Sequence, residues 1–262
     1  MKVHYAVQIC DIANNQTSIR YHGGDRTSLS IKSIQSLINS IQFVSEQVPM
    51  VEHHILFVDD HSSIELKRFL NEVKQQNNTP NINIEIVETQ EQGLMSTVRT
   101  CYDWLRDNGT DLVYQIQDDY VFHKTSIMEM IDIFFQMKGE CGTDIVISPF
   151  NDPWLWLGPY RNKSTPRTVI AGKQRYWISF YDTSCSFMTS AYVLKSNWDL
   201  LEQFCNMPPH GINGDLENVT LNKMFTERGI LGLVPITSLA LHVQSDLEKD
   251  PYIDWKQWWD SV

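Results

Sequence analysis

Apolar positions in the first half of the chain alternate between short compact runs and longer stretches with helical spacing. Val3 to Ile9 is a first run, and Ser28 to Val44 carries Leu29, Ile31, Ile34, Leu37, Ile38 and Ile41 along one helical face. His54 to Val58 is a second run, followed after Ser62-Ser63 by helical spacing through Leu66, Phe69, Leu70 and Val73. Lys74-Gln-Gln-Asn-Asn-Thr-Pro80-Asn81 reads as a polar loop broken by proline, and Ile82 to Val87 alternates as a strand. Gly93 to Leu105 places Leu94, Val98, Cys101, Tyr102 and Leu105 on one side of a helix. Asp107 to Thr110 then turns into the run beginning at Asp111. This strand–helix alternation predicts an α/β fold with right-handed crossovers and a mostly parallel sheet covered by helices on both faces.

Beyond Asp119 the pattern loosens. A helix over Ser126 to Met137 and a strand over Ile145 to Ser148 are expected, whereas Pro149 to Gly172 mixes Pro, Gly, Trp and Arg without a clean period and reads as a long surface loop. A strand around Tyr176 to Met188, helices over Ala191 to Phe204 and Leu216 to Arg228, and a strand over Leu231 to Pro235 complete the pattern. The tail from Asp250 is aromatic and acidic. No internal repeat or low-complexity linker divides the 262 residues, so one domain with a C-terminal extension is expected.

Composition narrows the function classes. A hydrophobic content of 42% is enough for a substantial core. Lys plus Arg number 21 against 32 Asp plus Glu, a net charge of −11, which speaks against a protein that grips nucleic acid by broad phosphate neutralisation. The five cysteines, Cys10, Cys101, Cys141, Cys185 and Cys205, are odd in number and never spaced C-x-x-C, a pattern of reduced thiols rather than of a disulfide framework or zinc site. The amino terminus has too short an apolar run for a signal peptide, and no stretch reaches the length of a membrane span. A cytoplasmic location is the expectation.

Two runs end on paired carboxylates: His54-Ile-Leu-Phe-Val on Asp59-Asp60, and the strand from Asp111 on Asp118-Asp119. Ligands of open α/β sheets bind at the carboxyl ends of strands, where an acidic pair can hold a divalent cation with a phosphate. Three segments in order, Phe57-Val-Asp-Asp-His-Ser62, Gly93-Leu-Met-Ser-Thr-Val-Arg99 and Gln117-Asp-Asp-Tyr120, resemble the GT-A glycosyltransferases, particularly family 2. The resemblance implies a GT-A (Rossmann-like) fold, a nucleotide-sugar-binding half over residues 1–120, and an acceptor-binding half with the C-terminal tail over 121–262. It also implies an enzyme that moves a sugar from a nucleotide-diphosphate donor, UDP-linked by expectation, to a hydroxyl of a glycan or similar acceptor with Mn²⁺ or Mg²⁺ as cofactor.

By the same resemblance Asp119 binds the metal, and Asp118 faces the ribose or a metal-bound water. Gln117 stands where many relatives carry an acidic residue. Asp60 takes the base with Asp59 as support, main-chain groups around Gln8 to Asp11 hold the other side of the ring, and Arg99 approaches the diphosphate or pairs with Asp59. Each acidic pair is also compatible with a simple helix cap, and Arg99 with a solvated helix position. His242, just past the last apolar strand, is either a third metal ligand or a satisfied core histidine.

The catalytic base of inverting members is an Asp or Glu at a helix start. Asn213-Gly-Asp215-Leu-Glu217 resembles that start with its acidic pair split by Leu216; spacing to Lys223 favours Glu217 and the preceding glycine favours Asp215. Both acids also suit a helix N-terminus through the dipole. Trp154, Trp156 and Trp177 have flat faces that suit sugar C–H surfaces in an acceptor site, and equally suit a second small core. Two other readings stay open: a nucleotidyltransferase, although Gln8-Ile-Cys-Asp-Ile-Ala-Asn14 lacks a glycine-rich phosphate loop, and a catalytically silent nucleotide-sugar or glycan-binding protein.

Overall fold

The computed structural model describes residues 1–12, 25–151, 167–182, 186–208, 216–243 and 253–262. Its first half is a chain of strand–helix units: β1 (Lys2–Ile9), α1 (Arg26–Gln47), β2 (Glu52–Asp59), α2 (Ile64–Asn77), β3 (Ile82–Glu88), α3 (Leu94–Asn108) and β4 (Leu112–Gln117). A short β5 (Tyr120–Phe122) leads to α4 (Ser126–Cys141), β6 (Ile145–Ile147), β7 (Val169–Ala171), β8 (Tyr176–Phe180) and β9 (Phe187–Ser190). The remainder comprises α5 (Ala191–Ser196), α6 (Trp198–Asn206), α7 (Leu216–Val219), α8 (Lys223–Thr226), β10 (Leu231–Pro235), β11 (Ala240–His242) and α9 (Trp255–Asp260).

Nine strands form one sheet in the order β3-β2-β1-β4-β9-β6-β10-β8-β7, and β11 pairs with β5 in a separate ribbon. The β3-β2-β1-β4 portion is parallel, as the alternation predicts. On the other side β9 runs antiparallel to β4 and β6, while β10 is parallel to β6 and antiparallel to β8.

Strand alternation sorts the core into two layers. Val3, Tyr5, Val7 and Ile9 pack with Ile34, Leu37, Ile38 and Ile41 of α1, with Leu66 and Leu70 of α2, and with Phe134 of α4. Ala6, Leu56, Val58 and Val113 face the opposite side, where α3, α5, α6, α7 and α8 supply Tyr102, Leu194, Leu201, Leu216 and Phe225. Each face is therefore covered by helices, and the strands between them read as apolar runs because both their faces are buried. Among the described residues no helix is long and apolar enough to cross a membrane.

Several boundaries differ from the sequence reading. Helix α2 continues to Asn77, so Lys74 to Asn77 are helical rather than loop; the buried Asn77 amide holds the Val73 carbonyl (2.8 Å) and accepts from Gln42 on α1 (2.6 Å). The expected helix over Ala191 to Phe204 is two helices that meet at Asn197, whose side chain turns back onto the Val193 carbonyl (2.7 Å). The expected strand over Tyr176 to Met188 is β8 and the beginning of β9, and the helix over Leu216 to Arg228 is the two short helices α7 and α8. Among the described residues, Cys10, Cys101, Cys141 and Cys205 are not joined in disulfides.

At the edge of the parallel strands three histidines lie together. His4 stacks on His54 (centroids 4.8 Å apart), and the buried His53 shares a 2.9 Å hydrogen bond with the Tyr5 hydroxyl. Burial first, and the neighbouring His54 second, lower the pKa of His4 and of His53 from 6.5 to about 4. The unfolded chain therefore binds more protons between these values, and stability is lost as pH falls from 6.5 towards 4. Denaturant titrations at pH 7 and pH 4.5 should show a lower midpoint at the acidic pH, with a contribution of up to about 3 kcal/mol per histidine. His53→Gln should remove its share of that slope.

Candidate active site

The parallel register brings three acidic strand ends side by side. Ile9 is opposite Asp59 and Gln8 is opposite Gln117, so Asp11, the Asp59-Asp60 pair and the Asp118-Asp119 turn emerge together at the carboxyl edge. All five carboxylates are nearly buried, from 2% exposed for Asp59 to 8% for Asp11. Buried charge at this density requires compensation.

Asp118 accepts three hydrogen bonds and carries the ion pair with Arg26. Its Oδ1 accepts from Arg26 Nη2 at 2.8 Å, and its Oδ2 accepts from the Ser30 hydroxyl (2.6 Å) and the Cys10 amide (3.0 Å). Arg26 is itself fixed by donating Nε–H to the Cys10 carbonyl at 2.8 Å. Burial pushes the Asp118 carboxyl above its ordinary pKa, Arg26 opposes that, and the adjacent Asp119 adds to the rise. Neither Arg26 nor Ser30 stood out in the sequence. They sit four residues apart on one face of α1, and Ser30, Ser33, Ser36 and Ser40 at buried positions of an otherwise apolar face were the available signal.

Two of those serines anchor the chain beyond the Asp118-Asp119 turn. Ser36 accepts from the Phe122 amide (2.9 Å) and Ser40 from the Ile127 amide (3.1 Å), so β5 and the start of α4 are bonded to α1. The β5–β11 ribbon then carries His242 opposite Tyr120, where its ring stacks at 4.6 Å on that tyrosine. His242 Nε2 comes to 3.4 Å from Asp119 Oδ2. The structure thus brings Asp119 and His242, distant in sequence, to one point.

The other carboxylates organise the strand ends. Asp59 accepts from the Ser62 amide (2.9 Å) and has Lys67 Nζ at 3.6 Å. Both oxygens of Asp60 receive the Gly93 amide, at 2.9 and 3.1 Å. Gly93 is the N-cap of α3 with φ of +132°, a conformation that glycine adopts without Cβ strain. Asp11 accepts from Thr27 (2.7 Å) and from the Ser63 amide (2.8 Å) and hydroxyl; burial pushes its carboxyl up, but the Ser63 and Thr27 hydrogen bonds hold it below its usual value. Gln8 is buried beside them.

Arg99 lies elsewhere. It donates to Asn206 Oδ1 (2.9 Å) and has Glu202 at 3.7 Å, so it faces α6; the cation beside Asp59 is Lys67. Glu217 opens α7, half-buried, and its carbonyl accepts from the Asn222 amide at 2.8 Å. Trp177 is 2% exposed and belongs to the core under β8 and β10, a packing position rather than a surface one. Asp215, Trp154 and Trp156 lie outside the described residues.

No protein-family model matches this sequence, and no curated protein does. Solved structures do match. A mannosyltransferase from Pyrobaculum calidifontis, solved with GDP-Man and Mn²⁺, superposes over 98% of this chain with a TM-score of 0.51 at 13% identity. The chain has a GT-A-like fold. It spans 59% of the length of that mannosyltransferase. A UDP-glucose pyrophosphorylase complexed with UDP-glucose covers 89% of both chains at 11% identity, with a TM-score of 0.48.

Within the GT-A-like fold, the donor chemistry at Asp119 and His242 suits a hard or borderline divalent cation. A carboxylate oxygen and an imidazole nitrogen approach each other there, and among the described residues no group of three or more His, Cys, Asp or Glu is placed to hold an ion, at this point or elsewhere. Two protein donors fit an ion whose other positions are taken by water or phosphate. Asp118→Ala leaves the partly exposed Arg26 without its carboxylate and the Ser30 hydroxyl and Cys10 amide without their acceptor, and should lower stability by about 1–3 kcal/mol. Urea denaturation will show this as a fall in midpoint, and Asp119→Ala should cost markedly less.

Proposed function

We propose that the protein is a metal-dependent glycosyltransferase that takes a sugar from a nucleotide-diphosphate donor, UDP-linked in the first instance, and passes it to a hydroxyl of a glycan or similar acceptor. The observation that carries this reading is the meeting of Asp119 with His242 at the same strand edge as Asp11, Asp59 and Asp60. The GT-A-like fold supports it, as does the GDP-Man and Mn²⁺ in the mannosyltransferase that shares the fold.

In this reading Asp119 and His242 hold the cation, which when bound neutralises the diphosphate and stabilises it as a leaving group. Asp60, steadied by the Gly93 amide, keeps lone pairs for an N–H of the base, with Asp59 behind it and the backbone of Gln8 to Asp11 on the other side. Asp118 orients the turn from which Asp119 projects and faces the ribose. Residues 1–120 thereby serve the donor, joined at the cation by His242, and the rest of 121–262 serves the acceptor. Trp154 and Trp156 are assigned to the acceptor, with a packing role for Trp177.

Inversion at the anomeric carbon needs a base to take the acceptor proton, and Glu217 or Asp215 at the start of α7 is assigned that role. Calorimetry with UDP and Mn²⁺, followed by turnover of a panel of nucleotide sugars, tests the whole reading. Asp119→Ala should fold and lose metal-dependent UDP affinity. Glu217→Gln should keep UDP affinity yet lower transfer by about 10²-fold or more, with Asp215→Asn milder. Equal affinity in the Asp119 variant removes it from the metal site, and the reverse order of the two acid variants moves the base to Asp215.

A further inference from the structure

Arg26 has no part in binding base, diphosphate or cation as assigned so far, yet its geometry is specific. The guanidinium is tied at both ends, Nη2 to Asp118 and Nε to the Cys10 carbonyl, each at 2.8 Å. A carboxylate offers about four lone-pair directions. Arg26, Ser30 and the Cys10 amide fill three of those on Asp118. A divalent ion drawn to Asp118 would meet a carboxylate with a single lone-pair direction left and a fixed positive charge beside it. Asp119, the next residue, turns instead to His242.

We propose that Arg26 is a positioning residue of the cation site: it withholds Asp118 from the metal, leaving Asp119 and His242 as the protein's share of the coordination. The inference rests on the donor-site reading of the same strand edge. Its consequence is that the protein without donor holds a cation weakly, because its ligands are few and Arg26 repels the ion at short range. An anionic donor reverses that balance by supplying oxygen ligands and negative charge together. Arg26, with its side chain 22% exposed, is accessible to that charge. Metal and donor thus enter as a pair.

The test uses Mn²⁺ alone, titrated against the full chain and followed by the electron paramagnetic resonance of the free ion. Arg26→Met should bind Mn²⁺ at least about fivefold more tightly than wild type, because a carboxylate is released and a repelling charge removed. Asp118→Asn alone should change Mn²⁺ affinity less than about twofold, and adding it to Arg26→Met should abolish the gain. A merely structural arginine predicts the opposite sign, since loosening the turn would weaken Mn²⁺ binding. Circular dichroism confirms folding; should Arg26→Met fail to fold, Arg26→Gln, neutral and able to keep the Cys10 bond, carries the same expectation. Unchanged or weaker Mn²⁺ binding in a folded Arg26 variant, or a fivefold loss in Asp118→Asn alone, overturns the proposal. Wild type that binds no UDP in the presence of Mn²⁺ would instead remove the donor reading, while the Mn²⁺ arm still decides the role of Arg26.

Discussion

A carboxylate cannot be buried at the end of a strand without compensation, and the way Asp118 is compensated sets the geometry of everything around it. Its three partners come from two elements: the Cys10 amide from the end of β1, and Arg26 and Ser30 from the first turns of α1, all meeting the turn after β4. The bond network therefore joins two neighbouring strands to the helix that covers them. Once that turn is fixed, so is the direction of β5, and Ser36 and Ser40 extend the same attachment along α1. Asp119 takes its position from that turn and from the β5–β11 ribbon, where its carbonyl accepts from the Val243 amide at 2.9 Å.

The same economy appears at the other strand ends. Asp59, Asp60 and Asp11 each accept a backbone amide of a nearby loop or helix start, from Ser62, Gly93 and Ser63 respectively. Acidic side chains thus hold three connections at the carboxyl edge in defined shapes, and the negative charge collected there is already partly neutralised by fixed dipoles. Such a surface is pre-organised for a ligand that brings its own cation. It is poorly suited to a bare anion, since Asp60 already occupies the amide at the start of α3, where an anion would otherwise settle.

The parallel half was legible because its signals are redundant. Strands buried on both faces give compact apolar runs, the helices between them give clean periods, and Asp59-Asp60 and Asp118-Asp119 stand at the ends of those runs. The features that escaped reading depend on contacts distant in sequence. β5 and β11 are three residues each and exist only through mutual pairing, so neither has a period to detect. Arg99 had a suggestive place in its motif, but the face of a helix it occupies is set by packing, and α6 rather than the strand edge lies on that side. Arg26 comes directly after Asp25, the N-cap of α1, and a lone arginine at a helix start resembles a solvated one until Asp118 is seen beside it.

The β5–β11 ribbon has a further consequence, which concerns the unfolded chain. Asp119 and His242 are brought together across the entire stretch between them, which includes β6 to β10 and the helices α4 to α8. A cation shared by the two would close that stretch into a loop, and closure of a long loop removes conformational freedom from the denatured ensemble much as a cross-link does. A metal recruited for chemistry would then double as a staple between the two halves of the chain, tying the resistance of the fold to unfolding to the occupancy of its site.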